Sequence, residues 1–225
     1  MSEKKIDLDV DTNVVFVGNP GSGKSTIVNA YIGRIVSQAG FSSDGHGLTK
    51  NVTSFVCTRA QQKPVMLVDT PGLNDIGNMR RATYEIVKGL TRDGMLKVIF
   101  VITLETGRLR SADVATINVV CNAIQTPFEC GVIVNKLSRV GIATLQKSRE
   151  IFDLLESQLK NKPSAYHLVE FDIGAFEEPD VMLSEPSQKA LRQFVDSLRG
   201  ARIESIEKIP VMEAKAATSR WCAIM

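Results

Sequence analysis

The segment Gly18-Asn19-Pro20-Gly21-Ser22-Gly23-Lys24-Ser25 has the spacing G-x-x-x-x-G-K-[ST]. Each residue type in it suits the binding of phosphate oxygens. Glycines let the backbone curl until successive N–H groups converge on one anion. Lys24 supplies a full positive charge for the β- and γ-phosphates of a nucleoside triphosphate. The Ser25 hydroxyl is a ligand for Mg²⁺, and Thr26 is within reach of the α-phosphate. A glycine-rich turn arising by chance also satisfies the bare pattern, but the flanks argue against it. Val14-Val15-Phe16-Val17 reads as a short buried strand ended by Gly18, and a helix is expected from about Gly23 to Gln38. The motif therefore lies where a strand meets a helix N-terminus, the context that phosphate binding requires.

A second constellation follows. Val65-Met66-Leu67-Val68-Asp69 is an apolar strand ending in a carboxylate. A carboxylate at that place holds Mg²⁺ through water, because Mg²⁺ keeps part of its hydration shell in phosphate sites. Taken alone, an Asp after a strand is more often a turn or helix cap. Here Thr70-Pro71-Gly72 follows, and the Gly72 N–H can come close to a γ-phosphate. Lys24 and Gly72 are candidate catalytic groups, and Ser25 and Asp69 candidate metal ligands.

The elements that must position these residues are legible as alternating apolar runs and amphipathic stretches. Further strands are expected over Asn51–Thr58, Val98–Ile102, Gly131–Val134 and His167–Phe171. Helices are expected over Met79–Leu90, from an N-cap at Ser111 to about Ile124, and from Pro186 to about Glu207. Ile142, Leu145, Phe152, Leu155 and Leu159 mark one face of a single long helix. The pattern predicts an α/β chain: a P-loop domain with a mostly parallel six-stranded sheet between helices. Ligands of such sheets bind at the carboxyl ends of the strands, where both motifs fall. The expected division is a tail over 1–10, a nucleotide-binding domain over 11–207 that includes the last helix, and a flexible tail over 208–225.

Bulk properties limit the alternatives. A net charge of +2 gives no reason to expect a nucleic-acid partner. Cys57, Cys121, Cys130 and Cys222 form no C-x-x-C pair and there are two histidines, so a zinc site is not expected. The first three cysteines sit in or beside apolar segments and read as buried thiols. The start leads into no long apolar run. The expected location is the cytoplasm, with a peripheral association on the cytosolic face of membranes.

At Asp69-Thr70-Pro71-Gly72-Leu73 the chain resembles the immunity-associated (GIMAP, AIG-type) GTPases, relatives of the septins and of chloroplast import-receptor GTPases. Gly18 to Thr26, Phe41 to Lys50, and Thr106-Gly107-Arg108-Leu109-Arg110-Ser111-Ala112-Asp113 carry the rest of the resemblance, over about the first 175 residues. In the last stretch Leu109 stands where the family has an aromatic residue and Arg110 where it has Thr. The resemblance implies a Ras-like G domain with GTP and GDP as ligands and Mg²⁺. It also implies a switch loop whose threonine closes over metal and γ-phosphate; Thr49 matches best, with Thr53 as the other candidate.

Guanine is usually read by Asn/Thr-Lys-x-Asp, and the corresponding segment here is Asn135-Lys136-Leu137-Ser138. Asn135 and Lys136 are in place, whereas Ser138 replaces a bidentate carboxylate acceptor. Residues near Glu170 to Asp172 are further candidates for the base.

Leu73 occupies the place where Ras-like enzymes orient water with Gln, so slow turnover is expected. The resemblance also implies pairing of two copies across the nucleotide face, with Arg108 or Arg110 within reach of the partner. An ATP-using kinase or ATPase, or a nucleotide-gated scaffold that does not hydrolyse, are the competing readings.

The chain ends Cys222-Ala223-Ile224-Met225, a Cys-a-a-X sequence with the terminal residue that farnesyltransferase prefers. One lipid gives only marginal membrane binding, on the order of 10⁴ M⁻¹, so a reversible tether is expected.

Overall fold

The computed structural model describes residues 10–37, 49–60, 62–73, 79–170, 182–207 and 209. The elements in chain order are β1 (Thr12–Val17), α1 (Lys24–Ile32), β2 (Thr53–Cys57), β3 (Val65–Asp69), α2 (Met79–Leu90), β4 (Met95–Glu105) and β5 (Arg108–Leu109). They continue with α3 (Ser111–Ala123), β6 (Cys130–Leu137), α4 (Arg139–Lys147), α5 (Glu150–Gln158), β7 (Ala165–Glu170) and α6 (Glu185–Ser197).

The strands form a seven-stranded sheet in the order β2-β3-β1-β4-β6-β7, with β5 paired to β4 off that path. Six strands were expected; the extra one is the two-residue β5, too short to leave a period in the sequence. It pairs Leu104 with Leu109 and Glu105 with Arg108 across a tight turn. Thr106 and Gly107 make that turn in the left-handed region. Along the main path only β2 runs antiparallel to its neighbour.

Strand side chains alternate between faces, so each strand feeds two cores. Val15, Val17, Val68, Val98, Phe100, Ile102, Val132 and Val134 point to one face, where Ile86, Leu90, Ile117, Val120 and Leu155 of the helices cover them. Val14, Phe16, Leu67, Ile99, Val101, Ile133 and Val169 point to the other and meet Ile27, Val28 and Tyr31 of α1 with Leu191 and Val195 of α6. Both faces being covered is what allows β1, β4 and β6 to be apolar almost without interruption. Cys57, Cys121 and Cys130 are buried and free, as their apolar surroundings predict.

Three helix boundaries differ from the sequence reading. Helix α1 stops at Ile32, because Gly33 takes a left-handed φ of 86° and closes the helix through its N–H on Asn29 O. The single helix expected from Ile142 to Leu159 is two, broken at Ser148, whose φ and ψ are −132° and 136°. Ile142, Leu145, Phe152 and Leu155 keep helical spacing within each half, which is why the break leaves no mark in the periodicity. Helix α6 ends at Ser197 rather than near Glu207. The chain beyond it runs extended, bridging Ala201 to Leu96 and Ile206 to Ile124. Ile209, fully buried, joins the core there. Strand β7 ends at Glu170, and Phe171 lies outside the described residues.

Candidate functional site

The carboxyl ends of β1, β3, β4 and β6 meet at one edge of the sheet, and the loop from Gly18 to Gly23 crosses it between β1 and α1. Gly23 has a φ of 89°, and a Cβ there would lie 2.3 Å from Asn135 Nδ2. Only glycine satisfies both conditions. The close approach lets Asn135 Nδ2 donate to Ser22 O at 2.8 Å, so the end of β6 grips the loop directly. Lys136 next to it has a φ of 61°. That left-handed turn, uncommon for a residue with a Cβ, coincides with a register shift between Val134 and Leu137 in the β6–β7 pairing.

Lys24 is buried, and its ammonium group donates to Gly18 O at 3.1 Å and Asn19 O at 3.2 Å. Burial lowers its pKa, while Asp69 and Asp113 oppose the shift. Asp69, fully buried at the end of β3, accepts from Ser25 Oγ at 2.7 Å. Ser25 Oγ in turn lies 3.2 Å from Thr49 Oγ1. Three residues separated widely in sequence are thus gathered at one point. Burial raises the Asp69 pKa, and Lys24, Ser25 and Ser37 counter it. Gly72 packs against the same loop: a Cβ there would fall 2.4 Å from both Cδ and N of Pro20.

The donor set fits Mg²⁺. Ser25, Thr49 and Asp69 offer hard oxygen ligands, and Asp69 Oδ1 is buried without a hydrogen-bond partner among the described residues. Such an orphaned carboxylate oxygen costs roughly 1–3 kcal/mol or more unless a donor or cation meets it.

Sequence reasoning missed two supports of this site. Asn19 in the loop is 2 % exposed. Its Nδ2 donates to Asp113 Oδ1 at 2.6 Å and its Oδ1 accepts from Thr116 Oγ1 at 2.9 Å. Asp113 sits in the first turn of α3 and also accepts from the Thr103 N–H at 3.3 Å. Burial raises its pKa, against the hydrogen bonds from Asn19 and Thr103 and the charges of Arg110 and Lys24. Helix α3 therefore clamps the phosphate loop from the side. The second support is Ser37, whose hydroxyl donates to Asp69 Oδ2 at 2.9 Å. The available signal for it was Asn29, a polar residue inside the apolar run from Ile27 to Ile32.

Other expected residues have settled roles. Ser138 caps α4, its Oγ accepting from Gly141 N at 3.1 Å. Leu73 is buried in the core, so it faces hydrocarbon rather than a reacting water. Arg110 reaches Thr103 Oγ1 at 3.4 Å, while Arg108 is exposed on β5. Glu170 pairs with Arg139 at 2.6 Å. Thr26 lies in the first turn of α1. Asp172 and Cys222 lie outside the described residues.

The family model described as 50S ribosome-binding GTPase matches residues 13–136, more than half of the chain. The chain belongs to this GTPase family. A search of curated proteins finds no match. Among solved structures the GTPase domain is similar to Era bound to MgGDPNP and nucleotides 1506–1542 of 16S ribosomal RNA. The TM-score is 0.60 at 17 % identity, covering 86 % of this chain and 59 % of that one. It is similar to Toc33 from Arabidopsis thaliana in complex with GDP and Mg²⁺, with a TM-score of 0.58 at 18 % identity, covering 87 % and 89 %. Chloroplast translocon components studied for the importance of dimerization to GTPase activity match with a TM-score of 0.59 at 15 % identity, covering 88 % and 87 %. The chain spans a little over half of the Era chain and most of the two translocon chains.

Among the described residues, no helix is long and apolar enough to cross a membrane.

Proposed function

We propose that this GTPase is a slow, Mg²⁺-dependent GTP-hydrolysing switch that releases GDP and phosphate. The observation that carries the reading is the convergence of Ser25, Thr49 and Asp69 beside Lys24 and the loop from Gly18 to Gly23. Mg²⁺ in such a site neutralises charge developing between the β- and γ-phosphates. The backbone N–H groups of residues 18–26 hold the phosphates, and Lys24 exchanges two carbonyl partners for phosphate oxygens. Thr49 reads the third phosphate, with Gly72 approaching it from the other side. Asn135 and Lys136 brace the base pocket. Leu73 holds no water, so positioning and charge neutralisation carry the rate without an aligned nucleophile, which makes turnover slow.

The reading extends to pairing of two copies across the nucleotide face. Arg108 is the better inserted residue, since it is exposed whereas Arg110 is engaged with Thr103. An arginine supplied in this way raises hydrolysis roughly 10³–10⁵-fold. The domain corresponds to 11–207, flanked by 1–10 and 208–225, and farnesylation of Cys222 would tether it reversibly to membranes. Replacement of Cys222 by Ser should then move the protein to the soluble fraction of a cell extract.

Calorimetric titration with GDP, GTP and ADP, followed by single-turnover hydrolysis at rising protein concentration, tests the core of this. GDP should bind at least roughly ten-fold tighter than ADP, and the rate per protomer should climb with concentration. ADP binding as tightly as GDP would remove the guanine reading, and a flat rate would remove dimer activation. A complex with GTP that never turns over would favour a nucleotide-gated scaffold, the reading that Leu73 in the core supports.

A further inference from the structure

The chain leaving α1 is tied back on the helix by one side chain. Asn29 is 1 % exposed. Its Nδ2 donates to Ser37 O at 2.8 Å, and its Oδ1 accepts from both Val36 N and Ser37 N at 2.9 Å. Its backbone O takes the Gly33 N–H at 2.8 Å, which closes the helix. Asn29 therefore engages Gly33 N, Val36 N and both backbone groups of Ser37, which holds Ser37 in place. There the Ser37 hydroxyl, itself buried, donates to Asp69 Oδ2, the same oxygen that accepts from Ser25. Two hydroxyl donors on Oδ2 fix the carboxylate's rotation. They leave Oδ1 as its one oxygen without a protein partner among the described residues.

From this geometry we infer that Ser37 is a positioning residue of the metal site, with Asn29 as its anchor. The inference rests on the reading of Asp69 as a Mg²⁺-site carboxylate. A carboxylate locked in advance loses less freedom when metal or metal-bound water engages its free oxygen, so the lock raises Mg²⁺ affinity. The lock involves no phosphate group. It acts with diphosphate as well as triphosphate, unlike Thr49, whose part depends on the third phosphate.

The test uses the full chain loaded with a fluorescent GDP analogue. Its release is followed as free Mg²⁺ is lowered with chelator, and Mn²⁺ binding to the GDP complex is titrated in parallel by electron paramagnetic resonance. Loss of such outer-shell support costs about ten-fold or more in metal affinity. Ser37→Ala should raise the Mg²⁺ midpoint for retention, and the Mn²⁺ dissociation constant, by about ten-fold. Asn29→Ala should shift both in the same direction. Ser37→Thr keeps the hydroxyl and should return both to within about two-fold of the parent. At saturating Mg²⁺ all variants should hold the analogue nearly as well as the parent.

Unchanged midpoints in Ser37→Ala, an equal shift in Ser37→Thr, or weakened nucleotide binding even at saturating Mg²⁺ would each overturn the inference. If Ser37→Ala does not fold, Ser37→Cys keeps the volume with a weaker donor; it should give the same sign of shift, and no shift overturns the idea. A parent protein that binds no guanine nucleotide at any Mg²⁺ concentration would sink the GTPase reading and this inference together. A Mg²⁺-dependent parent with indifferent Ser37 variants would sink this inference alone.

Discussion

Replacing Asp113 with Ala should damage the phosphate loop from a distance, and the structure gives the size of the effect. The carboxylate accepts from Asn19 Nδ2 at 2.6 Å and from Thr103 N at 3.3 Å. Asn19 is 2 % exposed, so no water can replace the lost acceptor without opening the loop. A buried donor left unpaired costs about 1–3 kcal/mol, and a hydrogen bond to a charged group is worth about 1.5–3 kcal/mol. Part of this returns because burial raises the Asp113 pKa, which marks a carboxylate that is itself costly to desolvate. The net loss expected is about 2–3 kcal/mol. For a chain of this length that lowers the melting temperature by roughly 4–12 °C.

Calorimetric melting of the protein with and without GDP and Mg²⁺ measures it. A double-mutant cycle with Asn19→Ala isolates the cause. If Asp113 acts through Asn19, the second substitution adds little once the first is made, with a coupling of at least about 1 kcal/mol. Thr116→Ala leaves the buried Asn19 Oδ1 without this donor and should cost about 1–3 kcal/mol. Additive losses for Asn19→Ala and Asp113→Ala, within about 0.5 kcal/mol, would refute the clamp.

Three further outcomes are expected. Ser138→Asp should keep the cap on Gly141, because Asp caps helices as well as Ser does. It should tighten GDP binding by roughly ten-fold while leaving ADP unchanged, measured by calorimetry. Gly72→Ala should force Pro20 and the phosphate loop to shift, with nucleotide affinity falling at least roughly ten-fold as overpacking of this kind costs about 1–3 kcal/mol. Affinity equal to the parent would show that the loop yields freely.

The pH dependence should carry a signature of His167, which stacks on Phe194 at 5.2 Å and whose pKa burial lowers from 6.5. The folded protein keeps this ring neutral where the unfolded chain takes up a proton. Stability should therefore fall as pH drops from about 6.5 toward the lower folded value. Urea midpoints between about pH 7.5 and about pH 5.5 should show a shallower decline in His167→Phe. An identical slope in the variant would assign the effect elsewhere.

What the sequence determined by itself is the chemistry that lies in one stretch of chain. Residues 18–26 carry their meaning locally, because curl, charge and helix N-terminus come from consecutive residues. The same holds for the apolar strand ending at Asp69 and for the alternation that covers both faces of the sheet. Helix ends were less legible: Gly33 stops α1, yet Ile32, Ile35 and Val36 on either side of it read equally well as part of a longer helix. The break at Ser148 falls where the apolar face continues on both sides.

Only the tertiary structure decided which distant residues serve the loop. Asn135 reaches Ser22 across 113 positions, Asp113 reaches Asn19 across 94, and Ser37 meets Asp69 across 32. The order β3-β1-β4-β6 brings the carboxyl ends of four strands to one edge, and pairing of that range is invisible to any local period. A buried Asp or Asn looks in sequence like any other polar residue. Its role appears only when the fold has removed water and left one partner to take its place.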